Sequence, residues 1–291
     1  MELPLVVGVD GSDSSLRAVD WAADEAALHG VPLRLVNASM WERYEGAALA
    51  EELGRPSERV TAENIVSAAA ERARRRDPDL KIQTDILPED TVSALLSEGR
   101  NASALVTGSR GRSGPAEMLL GSVSLAVAAR ADCPVFVIRG KHDPQSGTHR
   151  RIVLGVDDPP EGSTAVRFAF REAERRRAAL HAIRAWRCPA YEAADHPLVA
   201  SDAARYHESQ AEEILEAALR EAVADHPTME LHRATAEGPA RMVLVNASAA
   251  ADLLVVGAQR RHGHIGLQLG RVAHAVLHHS ACPVAVVPQR A

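Results

Sequence analysis

The chain has 291 residues, 46% of them apolar and 25% charged, with a net charge of −6. That length is enough for about two domains, the composition is that of an ordinary globular protein, and the acidic balance argues against nucleic acid as the main partner. No apolar run approaches the ~20 residues needed to span a bilayer, and no basic-plus-apolar leader precedes the first strand pattern. No membrane partner is therefore expected. Only 3% of the residues are aromatic, so the core must be built from Ala, Val and Leu. Cys133, Cys188 and Cys282 cannot form a disulfide framework, and a reducing, cytoplasmic setting is the simplest expectation.

In the first half, strands are expected near 3–9, 33–38, 81–87, 103–108 and 134–138, and helices near 14–28, 57–75, 91–100 and 121–130. This alternation implies an α/β fold with a parallel sheet. The strands are short and rich in Val, Leu and Ile, as expected where helices cover both faces. Leu16, Val19, Ala22, Ala23 and Ala26 share a helical spacing, with Ser12 or Asp13 as the cap. Residues 40–56 show no pattern and read as a mobile loop. The polar stretch 139–150, with Pro and Gly, has linker chemistry. The expected division is a domain over 1–139, a linker over 140–150 and a domain over 151–291. The second half repeats the plan, with strands near 151–156, 179–185, 229–235, 252–257 and 283–287. Its long helix near 202–223 carries Ile214, Leu215 and Ala218 on one face.

The two halves are copies. Leu5-Val6-Val7-Gly8-Val9-Asp10 recurs 147 residues later as Ile152-Val153-Leu154-Gly155-Val156-Asp157. Ala104-Leu105-Val106-Thr107-Gly108 returns 149 residues later as Leu253-Leu254-Val255-Val256-Gly257, and Cys133-Pro134-Val135 returns as Cys282-Pro283-Val284. This period is far above the ~20–50 residues of solenoid repeats, so the chain is a duplicated domain.

The chemistry-bearing stretch follows the fourth strand. Gly108, Gly111, Gly114 and Gly121 punctuate a long loop that opens a helix at Ser122. A connection of this length exceeds the usual ~2–6 residues. Glycines allow backbone angles closed to other residues and bring several N–H groups close to an anion, which the positive end of the following helix favours. A phosphate is the expected guest.

The loop pattern Gly-x2-Gly-x9-Gly-Ser (Gly108, Gly111, Gly121, Ser122), the Val9-Asp10 end of the first strand, the Cys-Pro-Val before each last strand and the tandem duplication together closely resemble the universal stress protein family. The resemblance covers essentially the whole chain, as two copies of that domain. It implies two open, HUP or Rossmann-like parallel sheets of five strands in the order 3-2-1-4-5 and, in members carrying this loop, binding of ATP, with or without Mg2+. With that order the winding direction switches between strands one and four, where open α/β sheets bind ligands. Asp10 and Gly108 end those two strands. By the resemblance, Asp10 hydrogen-bonds the nucleoside, Gly8 lets the nucleotide approach and Val36 lines the adenine side. Gly108, Gly111, Gly121 and Ser122 surround the phosphates. Arg110 and Arg112 either add charge to the phosphate tail or are solvated loop arginines.

The second copy departs from this pattern. Arg260 stands where Gly111 stands, and Arg271 where Ser122 stands. An Arg opposes the dipole at a helix start, although its charge also suits a phosphate. Gly155, Asp157, Gly257 and Gly270 are therefore weaker candidates, and one strong nucleotide site per chain is expected. His274 and His278 lie four apart on a helical pattern, but no carboxylate or cysteine supports them, so no metal site is assigned. Cys133 and Cys282, at equivalent positions, read as packing residues. Arg72, Arg74, Arg75 and Arg76 end a helix where cations suit the dipole.

No Gly-x4-Gly-Lys-Ser/Thr loop is present, and no catalytic residue is assigned. At most slow ATP hydrolysis is expected. The leading expectation is a nucleotide-dependent regulator in stress or dormancy responses. The alternatives are a scaffold without nucleotide, or a nucleotide α-hydrolase or adenylyl-transfer enzyme using Gly11-Ser12-Asp13-Ser14-Ser15 as its phosphate loop. The last strand of each copy falls at a sheet edge by the expected order and needs cover. Pairing of the two copies within the chain would supply it, and a homodimer is a further expectation.

Overall fold

The computed structural model describes residues 2–40, 58–109, 120–139, 149–158, 163–188, 197–259 and 269–289. The loop expected over 40–56 lies outside them except for Met40, and so does most of the linker. The chain folds as two compact units, Met1–Ile138 and Arg139–Ala291.

The first unit runs β1 (Leu5–Gly8), α1 (Asp13–His29), β2 (Leu33–Ala38), α2 (Glu58–Arg76), β3 (Ile82–Leu87), α3 (Thr91–Gly99), β4 (Ala104–Gly108), α4 (Ser122–Arg130) and β5 (Val135–Ile138). All its strand pairings are parallel, in the order β3-β2-β1-β4-β5. The second unit runs β6 (Arg151–Gly155), α5 (Ser163–Arg176), β7 (Ala179–Trp186), α6 (Pro197–Asp225), β8 (Leu231–Glu237), α7 (Ala240–Ser248), β9 (Leu253–Gln259), α8 (Arg271–His279) and β10 (Val284–Gln289). Its order is β8-β7-β6-β9-β10, again parallel throughout. Each unit is thus an open sheet of order 3-2-1-4-5. Boundaries shift by a few residues. For example, α6 begins at Pro197 rather than near 202, as the fixed φ of proline allows in a first helical turn.

In the first unit α1 packs on α2 and α3 on α4, so the sheet is covered on both faces. Strands β1, β4 and β5 are buried nearly throughout, while the edge strand β3 is mostly half-exposed. Ala18, Ala22, Ala23 and Ala26 of α1 are fully buried, and their small size lets the helix lie close to the sheet. Trp21 fills the space beside them, its ring centroid 4.6 Å from that of Phe136. Ser12, not Asp13, is the cap of α1, accepting from the Ser15 N–H at 3.2 Å. The helix ends at Gly30 in the left-handed region at φ 67°. Arg72 and Arg76 do more than offset a helix dipole. They clamp α2 to α1 through Asp20 at 2.6 Å and Asp24 at 2.7 Å. Among the described residues no helix is long and apolar enough to cross a membrane.

Candidate functional site

Three elements of the first unit meet at the carboxyl ends of β1 and β4. A Cβ on Gly108 would lie 2.7 Å from the backbone carbon and oxygen of Ser14, so only glycine lets the start of α1 rest on the end of β4. The Ser14 and Ser109 hydroxyl oxygens lie 3.5 Å apart across this contact. The Ser124 hydroxyl, from the first turn of α4, donates to the Gly108 carbonyl at 2.6 Å. The Gly121 N–H donates to the Ser109 carbonyl at 2.8 Å, which brings the two ends of the glycine-rich stretch together. Helix α4 starts from Gly121 with no side-chain cap, and Ser122 is exposed. The first N–H groups of such a helix have no partner within it, which is the arrangement that suits an anion.

Asp10 stands just past β1. Its Oδ1 accepts from the Ser12 N–H at 3.0 Å and from the Ser12 hydroxyl at 2.6 Å. These bonds hold the carboxylate at the carboxyl end of β1. They also commit the Ser12 hydroxyl, which donates to Asp10 while accepting from Ser15. Gly8 has a packing reason of its own, since a Cβ there would approach Leu95 of α3 at 3.1 Å. Val36 pairs with Gly8 in register and is only 1% exposed, so its side chain belongs to the core face. Arg110, Gly111, Arg112 and Gly114 lie outside the described residues.

Sequence reasoning missed Asn37. It is 5% exposed, one residue beyond Val36, and its Nδ2 donates to the Val9 carbonyl at 2.7 Å. Its Oδ1 is buried without a hydrogen-bond partner among the described residues. A lone amide inside the run Leu33-Arg34-Leu35-Val36-Asn37-Ala38 was the available signal, since buried polar groups are normally satisfied.

In the second unit Gly155 pairs with Ile183 as Gly8 pairs with Val36, which puts Arg184 at the register position of Asn37. Arg184 Nη1 donates to the Val156 carbonyl at 3.4 Å and lies 3.7 Å from Asp157 Oδ1, while Nη2 donates to Asp158 at 2.7 Å. Asp157, the counterpart of Asp10, therefore faces a cation of its own chain. A Cβ on Gly257 would collide with the Gln289 side chain, which occupies the end of β9. Helix α8 starts from Gly270 without a side-chain cap, as α4 does from Gly121, but its first residue is the exposed Arg271. Arg260 lies outside the described residues.

These features define a tandem α/β protein of the open parallel-sheet class, with polar groups gathered at the switch of strand order in its first unit. The sequence model of the Universal stress protein family matches residues 3–139 and 148–288, and the chain belongs to that family. It is 33% identical over 311 aligned positions to a universal stress protein of Mycobacterium tuberculosis, an alignment covering 98% of this chain and 97% of the relative. The crystal structure of a universal stress protein from Archaeoglobus fulgidus shares the fold at a TM-score of 0.69 and 18% identity, covering 99% of this chain and 98% of that one. A shorter universal stress protein, solved in complex with cAMP, is 31% identical, covers 47% of this chain and 97% of its own, and has a TM-score of 0.37.

Proposed function

We propose that the first unit binds ATP and that the chain acts as a nucleotide-dependent regulator in stress or dormancy responses. The observation that carries this reading is the convergence of Asp10, Gly108 and the uncapped start of α4 at Gly121-Ser122 on one end of a parallel sheet. A carboxylate at the end of β1 suits ribose hydroxyls. The N–H groups of a helix start, preceded by a glycine-rich stretch, suit phosphates. The exposed Ser122 hydroxyl adds a donor there, and Arg110 and Arg112 supply charge for the phosphate tail. ATP is bound with or without Mg2+, and turnover is at most slow. The rival enzyme reading needs Ser12 on a phosphate, whereas the Ser12 hydroxyl is taken by Asp10 and the Ser15 N–H.

Calorimetry with ATP on the wild type and on Gly111→Arg tests the reading. The wild type is expected to bind. The variant, carrying in the first unit the residue that the second has at Arg260, is expected to lose at least about 100-fold in affinity with an unchanged circular dichroism spectrum. Equal affinity for the two proteins refutes the assignment of the phosphate loop.

A further inference from the structure

We infer that His181 and His232, side by side in the second unit's sheet, form a site for a divalent transition-metal ion such as Zn2+, with Glu230 orienting the His232 ring. The site lies in the other unit from the proposed nucleotide site and does not depend on it. Two independent observations carry it.

The first is the geometry of the donors. His181 of β7 and His232 of β8 are register partners on adjacent parallel strands, so their side chains leave the sheet on one face. Their rings are stacked, with centroids 4.4 Å apart. The Glu230 carboxylate, from the residue before β8, lies 3.1 Å from His232 Nε2. A carboxylate on one ring nitrogen is the usual support of a metal-ligating histidine. It accepts that nitrogen's proton in a hydrogen bond, fixes the tautomer and leaves the other nitrogen, here Nδ1, as the ligand. Rings this close need only tilt edge to edge for a nitrogen of each to reach one ion at the ~2.0–2.1 Å of a Zn–N bond. His232 and Glu230 are exposed and His181 is half-buried, so water completes the coordination.

The second is the contrast with the duplicated unit. By register, the positions of His181, His232 and Glu230 are held there by Arg34, Gln83 and Lys81. Arg34 is bound to Asp85 at 2.7 Å and to Glu98 at 3.0 Å, an ion-pair network that ties β2 to β3 and α3. In the second unit those carboxylates are replaced by Ala234 and Ala247, so the histidines do not stand in for that network. Where one unit has two cations and an amide, the other has two imidazoles and a carboxylate. The first set repels a metal ion and the second is the donor set that binds one. Arg151, near His181, opposes an added positive charge, and Glu230 offsets it. Imidazole nitrogens suit Zn2+, Ni2+ and Cu2+, whereas Mg2+ and Ca2+ take oxygen ligands.

Calorimetric titration of the full chain with Zn2+, in excess Mg2+ to fill oxygen-lined sites, tests the assignment. Both His181→Gln and His232→Gln are expected to lose one equivalent of Zn2+ relative to the wild type. Glu230→Gln is expected to keep that equivalent and bind it about tenfold more weakly. His274→Gln, which alters a separate histidine pair, is expected to leave it in place. In the wild type, Zn2+ but not Mg2+ is expected to slow modification of His181 and His232 by diethyl pyrocarbonate, read by peptide mass spectrometry. This arm needs no variant. Unchanged Zn2+ stoichiometry and affinity in both folded histidine variants overturn the inference. So does equal modification of the two histidines with and without Zn2+, or a wild type that binds no Zn2+.

Discussion

The two units share a backbone plan and differ at its functional end. At one register position the first unit carries the neutral Asn37, whose buried Oδ1 has no partner among the described residues. The second carries Arg184, whose guanidinium lies against Asp157, Asp158 and the Val156 carbonyl. At the end of the fourth strand, Gly108 receives the backbone of Ser14, while Gly257 receives the side chain of Gln289. At the helix start, Ser122 has Arg271 as its counterpart. At two of the three positions a side chain of the second unit, Arg184 or Gln289, makes a contact that the first unit does not make in the same way. Duplication preserves the sheet because the sheet is held by buried apolar strands. The polar positions at the strand ends, Asn37 against Arg184 and Ser122 against Arg271, differ between the units, while the glycines that pack, Gly8 with Gly155 and Gly108 with Gly257, are kept.

The largest expected contrast is in binding. Equilibrium dialysis with ATP should return one site per chain, because in the second unit Arg184 lies against Asp157 and the Gln289 side chain lies against Gly257. Two equivalent sites would break the comparison outright.

A smaller contrast concerns the paired glycines. Gly108→Ala drives a methyl group into the Ser14 backbone, which cannot move without unseating α1, and should cost about 1–3 kcal/mol. Gly257→Ala meets only the flexible end of Gln289 and should cost less than about 1 kcal/mol. Thermal unfolding of the two variants measures the difference, and equal losses would mean that the two strand ends are packed alike.

The last prediction is that one pair of counterparts behaves identically. Burial pushes the Cys133 and Cys282 thiols up to about 11 in both units. Raising a thiol pKa reduces its thiolate, so at pH 8 only about one molecule in a thousand is reactive at either position. Iodoacetamide at that pH should label the part-exposed Cys188 alone in the native protein, and all three cysteines in urea. Native labelling of just one of the buried pair would show that the units differ in their cores as well as their crevices.

The duplication, the alternation of strands and helices, the Val9-Asp10 pair just past β1 and the glycine-rich stretch after β4 were all legible in the sequence. They are local: a repeat, a periodicity or a run of turn residues is written in neighbouring positions. The resemblance to a known family supplied the strand order, which the parallel pairings bear out. What the tertiary structure alone decided is which side chains meet across the sheet. Gly108 is needed because Ser14, far away in sequence, packs on it. Val36 is turned into the core and Asn37 toward the Val9 carbonyl, a distinction that depends on the pleat of β2 and its register with β1. Arg184 is recognisable as the counterpart of Asn37 only once β6 and β7 are in register. Hydrophobic patterning sets which segments become strands and has little power over the polar contacts at their ends. Those contacts form between residues distant in the chain, and their geometry exists only after the sheet has assembled.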